Sequence, residues 1–214
     1  PQYSAATSGS SIKEWKDVCK KNNFEVKTST ICCYPTDNNF VQAHKNGIMK
    51  KIKSLKNFKL IFSAHGLPEK NIKKGDPYQW QVEQSVNKIV EELNLDNLDW
   101  ILSYQSRVGP LKWIGPSTDK VIKEEAKKNK IIVIVPVAFV SEHSETLVEL
   151  DIEYKKLATE NGSKDYIRVP AVTANQDFIN SLKSSILKAS NGERLTSSIK
   201  CPEQFKKCPR LQNS

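Results

Sequence analysis

The run Ile131–Val137, Ile-Ile-Val-Ile-Val-Pro-Val, constrains this chain more than any other feature. Its β-branched residues follow one another without polar alternation, the pattern of a strand covered on both faces. The whole apolar stretch, 131–140, is broken by Pro136 and is about half the length a membrane-spanning helix requires. A strand of this kind calls for helices on either side, and the rest of the chain supplies helical and strand patterns in alternation.

The spacing of Ile12, Trp15, Val18 and Cys19 predicts a helix over 10–22, and a β-leaning run follows at Glu25–Cys32. Asp37 can cap a helix reaching about Ser54, with Phe40, Ile48, Met49 and Ile52 on its inner face. Lys59–Ala64 reads as a buried strand ahead of the turn-rich His65-Gly66-Leu67-Pro68. Tyr78–Leu93 reads as a helix, with Pro77 suited to its start. Further strands are expected at 99–105 and 166–169, and further helices at 117–129, 146–159 and 176–189. This order predicts an α/β fold with a doubly wound parallel sheet, a Rossmann-type three-layer sandwich. In such folds the ligand crevice lies beyond the carboxyl ends of the strands. The polar tail after Asn191-Gly192 is expected to be loosely ordered.

Lys and Arg outnumber Asp and Glu by 33 to 24, a net charge of +9, with the lysines dispersed along amphipathic stretches. The bland reading is a solvated basic surface. An anionic membrane surface or a carboxylate-bearing ligand is the better functional one, and no nucleic-acid motif is present. No secretory leader pattern opens the chain, and five unevenly placed cysteines (Cys19, Cys32, Cys33, Cys201 and Cys208) do not suggest a disulfide framework. A reducing compartment is therefore expected. Because the chain starts at Pro1, it reads as a piece of a longer protein.

Two strand ends carry candidate chemistry. His65 follows the strand at 59–64, and Ser141-Glu142-His143-Ser144-Glu145 follows the strand at 131–137. A lone histidine at a strand end is more often structural; two, one of them beside carboxylates, favour function. Glu145, Glu149 and Glu153 recur every fourth residue, so in an α-helix they share one face. Like charges at that spacing cost roughly 0.2–0.5 kcal/mol per pair. They are either a solvated face or a file along which hydrated cations pass.

Several segments resemble ferrochelatase: SAHGLP at 63–68, GDPY at 75–78, QSRVGPLKWIGP at 105–116 and PVAFVSEHSETLVELDIEY at 136–154. The opening PQYSAATSGSS resembles the end of that family's amino-terminal domain, and the likeness runs from Pro1 to about Ala189. The resemblance implies two similar domains around a porphyrin cleft. Residues 1–22 would then be a remnant and connection, and 23–174 the carboxyl-terminal chelatase domain. A terminal helix at 175–190 would pack on the missing domain, and 191–214 would be a tail.

The resemblance also implies insertion of ferrous iron into protoporphyrin IX. His65 and Glu145 match the catalytic pair, and His65, Glu145, Glu149 and Glu153 the groups that meet the metal. Tyr3, Gln105, Ser106, Arg107, Trp113, Phe139 and His143 match positions near the porphyrin. For Arg107 a surface ion pair is the plainer reading, and His44, without an evident partner, reads as a surface residue. Porphyrin and ferrous iron are the implied partners, with no cofactor required. The implied location is cytoplasmic and peripheral to a membrane, on the matrix side if the source is eukaryotic.

Some members carry a [2Fe–2S] cluster on four cysteines. Here the tail offers Cys201 and Cys208, the family's upstream cysteine falls near Ala43, and nothing in the sequence recruits Cys32 and Cys33, so no cluster is expected. The competing readings are a chelatase for another tetrapyrrole or metal, a non-catalytic porphyrin-binding remnant, and a basic membrane- or nucleic-acid-binding module.

Overall fold

A computed structural model of the chain describes residues 1–191 and 195–212. Its centre is a sheet of four parallel strands, β2 (Phe58–His65), β3 (Trp100–Gln105), β4 (Ile131–Pro136) and β5 (Asp165–Arg168), in the order β3-β2-β4-β5. The chain steps outward from β2 to β3 and then returns to the other side of β2 for β4. The reversal makes the carboxyl ends of β2 and β4 the switch point where a crevice opens. Phe58 to Ser63 pair in register with Ile131 to Pro136.

Strand parity sorts the core into two layers. Leu60, Phe62 and Ala64 of β2, with Val133 and Val135 of β4, pack under α2 (Asn38–Ile52) and α4 (Tyr78–Leu93). Ile61, Ile132 and Ile134 face the opposite layer, formed by α5 (Thr118–Ala126), a π-helix (Glu145–Tyr154) and α6 (Lys155–Glu160). The doubly wound, three-layer expectation holds, and every residue of β4 is buried, as its unbroken β-branched run requires. Asp37 caps α2 by accepting from Phe40 N at 3.1 Å. A short helix, α3 (Glu69–Lys73), follows the His65–Pro68 turn.

Four expectations need correction. The helix expected over 146–159 begins at Glu145 and is π-helical as far as Tyr154. The strand expected over 25–32 is confined to β1 (Thr30–Cys33). His44 is buried, its ring 4.7 Å from that of Phe40, and desolvation first, then the amino terminus, lowers its pKa to about 4. The tail is not loose over its described part: β6 (Leu195–Ser197) pairs in parallel with β1, and α8 (Pro209–Gln212) follows. Helix α1 (Ser8–Lys21) forms as its spacing predicts but buries no side chain, with Trp15 and Val18 exposed. Helix α7 (Gln176–Ser190) packs Phe178 against Phe40, Ala43 and Val172.

Candidate active site

His65 ends β2 and is held from two sides. Tyr78 Oη donates to its carbonyl at 3.0 Å, and its Nδ1 lies 2.7 Å from Gly66 O. A carbonyl only accepts, so Nδ1 carries the proton and the Nε2 lone pair is left for chemistry. Gly66 N donates to Gln105 O at 2.8 Å, tying the turn to the end of β3. A Cβ on Gly66 would stand 2.9 Å from Gln105 O and 3.2 Å from both Arg107 Cγ and Trp113 Cε3, so the close approach depends on glycine. Trp113 thus packs against this turn, and its indole N–H is buried without a hydrogen-bond partner among the described residues.

The second strand end closes on the first. Phe139, just past β4, places its ring 6.5 Å from that of His65 and 5.1 Å from that of His143. His143 Nδ1 lies 2.8 Å from Glu145 Oε2, an ion pair whenever the ring is protonated. Glu145 is held below the usual carboxylate range by hydrogen bonds from Ser144 Oγ and its own N–H, aided by the fields of His143 and His65. His65, Phe139, His143 and Glu145 therefore form one group at the switch point.

Glu145 also borders a neighbouring cleft of about 470 Å³, lined by Gln105, Ser106, Arg107, Glu149 and Glu153 among others. His65 does not itself line that cleft; Glu145 stands where the two groups meet. The three glutamates do share a face, although the helix beneath them is wound with i→i+5 bonds.

They are not equivalent. Glu149 accepts four hydrogen bonds, from Ser106 N and Tyr154 Oη on one oxygen (each 2.9 Å) and from Gln105 Nε2 (2.9 Å) and Ser106 Oγ on the other. Glu153 is exposed. Glu149 is thus a fixed joint between β3 and the π-helix, and Glu145 and Glu153 are the more accessible carboxylates. Beneath the joint, Gln105 Oε1 accepts from Ser63 Oγ at 2.7 Å. Ser63 in turn contacts Thr118, and Thr118 contacts Ser103, in a buried polar row that fixes the strand ends.

Arg168 of β5 secures the π-helix. It donates to both oxygens of Glu142 at 2.9 and 3.0 Å and forks onto Asp151. Arg107 pairs with Asp119 at 3.5 Å, which meets the plainer reading of that residue. Tyr3 is not brought to this cleft; it is buried against Cys32 and Cys33.

Sequence reasoning missed Tyr104, Asp119 and Tyr154 in the cleft wall. The signal for Tyr154 was present: it stands five residues after Glu149, the contact spacing of a π-turn.

Among the described residues, no three His, Cys, Asp or Glu side chains already stand as a metal cage. The [2Fe–2S] cluster that the resemblance associates with some members needs four thiols. Ala43, the expected upstream position, packs instead with Phe40 and Phe178. Cys32, Cys33, Cys201 and Cys208 are all buried, but they do not stand as a group of metal ligands.

The family model described as ferrochelatase matches residues 1–190. A ferrochelatase of Pelagibacter ubique (strain HTCC1062) is 72% identical over 215 residues, an alignment covering 99% of this chain and 62% of that protein. A ferrochelatase of Rickettsia bellii (strain OSU 85-389) is 47% identical over 220 residues, covering 97% of this chain and 59% of that protein. The chain spans about three-fifths of the length of these curated relatives. Among solved structures, SirB from Bacillus subtilis with Fe3+ superposes with a TM-score of 0.61 at 16% identity, covering 90% of this chain and 69% of that one, a likeness of fold.

Proposed function

The chain belongs to the ferrochelatase family, and from that premise we propose that it inserts ferrous iron into protoporphyrin IX to give protohaem, with His65 and Glu145 as the groups that handle iron and protons. The observation that carries this reading is the placement of His65. Its Nδ1 is committed to Gly66 O, which leaves the Nε2 lone pair for chemistry, and it lies within the field of Glu145 at the switch point of the sheet.

Metallation removes two pyrrole protons and brings in one divalent ion, so a base and an oxygen ligand close together suit both halves of the exchange. His65 Nε2 accepts a pyrrole proton. The Glu145 carboxylate meets the incoming ion or takes the second proton, with His143 beside it to stabilise the charge. Glu153, exposed at the outer end of the acidic file, receives hydrated iron. Glu149 keeps the file in shape rather than passing the ion on. Trp113 and Phe139 flank the macrocycle, and Gln105 and Ser106 set the wall that faces it. Iron and porphyrin are substrates, and insertion asks for no further cofactor.

The remaining length of the relatives would complete the porphyrin cleft. The outer side of α7, where Ile186 and Leu187 are 55% and 53% exposed, is the surface on which more chain would pack. No helix among the described residues is long and apolar enough to cross a membrane. A net charge of +9 supports association with an anionic membrane surface, which salt-sensitive binding to anionic vesicles tests.

The function is tested by anaerobic insertion of ferrous iron or zinc into protoporphyrin, followed by absorbance, for the protein and its His65→Ala variant. Insertion that collapses in the variant while porphyrin binding persists supports the reading. A folded protein that binds porphyrin and metallates it no faster than buffer overturns it.

A further inference from the structure

We propose that Tyr78 is a positioning residue for His65. Its hydroxyl holds the His65–Gly66 peptide so that Nδ1 stays on Gly66 O and Nε2 stays unprotonated, and Asp76 sets that hydroxyl in place. The proposal rests on the reading of His65 as the base and names the groups that aim it.

His65 is the last residue of β2. Its pairing with Gln105 ends the ladder to β3, and the ladder to β4 has already ended at Ser63 and Pro136. A carbonyl at the end of a buried strand needs a donor from elsewhere. Tyr78 Oη supplies it at 3.0 Å, and on the opposite edge of the same peptide Gly66 N donates to Gln105 O at 2.8 Å. Both polar edges of that peptide are thus tied, one to α4 and one to β3. The next carbonyl along, Gly66 O, takes Nδ1 at 2.7 Å. An imidazole turns about two single bonds, so this contact fixes ring and tautomer only while the backbone beneath it stays still.

The Tyr78 ring belongs to the core layer under α2 and α4 and is 8% exposed. A phenylalanine would fill that space as well; the hydroxyl is the part that packing does not require. Burial first, and then the charge of Asp76, push the phenol's pKa well up, so the hydroxyl keeps its proton and donates. Asp76, 1% exposed, directs the start of α4. Pro77 has no N–H, so Tyr78 N is the first amide there that needs an acceptor, and Asp76 Oδ1 accepts from it at 3.0 Å. Asp76 Oδ2 accepts from Ser4 Oγ at 2.9 Å and from Ala5 N at 2.8 Å. One carboxylate therefore joins residues 4–5 to the first turn of α4 and, through Tyr78, to the end of β2.

The test is a pair of measurements on Tyr78→Phe, made beside the unsubstituted protein and His65→Ala. One is the tautomer of the His65 ring at pH 8, read from the ring nitrogen shifts of protein carrying isotope-labelled histidine. The His65 signal is the one that His65→Ala removes. The other is kcat and KM for insertion of zinc into protoporphyrin. In the unsubstituted protein the Nδ1–H form should dominate. In Tyr78→Phe the Nε2–H form should rise to at least a third. Its kcat should fall about tenfold, with KM for porphyrin within about twofold of the unsubstituted value. Loss of a mere packing contact would not choose between the two tautomers.

An unsubstituted protein whose His65 carries its proton on Nε2 overturns the proposal. So does a Tyr78→Phe protein that keeps the Nδ1–H form. Should that variant fold poorly, Asp76→Asn moves the same hydroxyl through the start of α4, and its silence in both measurements counts equally against the proposal. Full insertion by His65→Ala sinks the base itself and the proposal with it. A collapse in His65→Ala beside an unchanged kcat in Tyr78→Phe sinks the proposal alone.

Discussion

The cleft at the switch point and the cysteines beneath the tail both gather polarisable side chains, but meet solvent in opposite ways. In the cleft the donors are nitrogen and oxygen, and His143 and Glu145 keep 35% and 38% of their side-chain surface exposed. Beneath the tail the four thiols of Cys32, Cys33, Cys201 and Cys208 are at most 6% exposed. Exposed imidazole and carboxylate groups exchange protons and a hydrated ion with water. Buried thiols are shielded from water and act as small apolar packing groups. One region is thus open to exchange with water and the other is closed to it.

The largest effect that could break this contrast is at His65. His65→Ala should slow insertion about 100-fold or more, in the range of a lost general base, with little change in porphyrin binding. Steady-state and binding titrations check both halves. Next is the tether of the acidic helix. Arg168→Ala leaves Glu142 and Asp151 without their shared cation and should cost about 3 kcal/mol of stability by denaturant unfolding.

A sharper comparison lies within the acidic file. Glu149→Ala strands Ser106 N–H and Tyr154 Oη, takes one of two acceptors from Gln105 Nε2, and should destabilise by about 2 kcal/mol. Glu153→Ala should stay within about 0.5 kcal/mol. Both should slow insertion less than His65→Ala. Equal losses at all three positions would erase the distinction between base, joint and entry.

The smallest effect is the pH dependence of Glu142. Desolvation pushes its pKa up, but Arg168, Thr146 and the N–H of Ala171 outweigh this and hold it below its ordinary value of 4.5. A carboxyl depressed in the folded state binds fewer protons than in the unfolded chain. Its stabilisation is present above pH 4.5 and is lost as pH falls through the lower folded value. Unfolding curves between pH 3 and 6 should flatten over that window in Arg168→Ala.

These two regions also differ in how far the sequence discloses them. His65 and the Glu142–Glu145 segment each directly follow a strand whose buried pattern is unmistakable, and parallel strands send their carboxyl ends to one edge. Local pattern therefore places the cleft. Its polarity beyond that depended on winding: the α-helical spacing brought the three glutamates to one face, but only the π-turn shows that Glu149 is saturated by Tyr154 and Ser106. The cysteines gave no such signal. Cys32 and Cys33 join Cys201 and Cys208 only through the pairing of β1 with β6, a bulge that no residue preference announces, and a tail whose polar composition reads as loose. His44 failed for a related reason, since it is buried by tertiary packing that the spacing of its own helix does not announce.

The most direct test of the central claim is the position of the ion. Crystals loaded with cobalt or manganese as a surrogate for ferrous iron, measured by anomalous diffraction, should show a peak within ligand distance of His65 Nε2 or the Glu145 carboxylate. A peak confined to Glu153 or to a site away from the switch point, in a protein that still metallates porphyrin, would contradict the assignment.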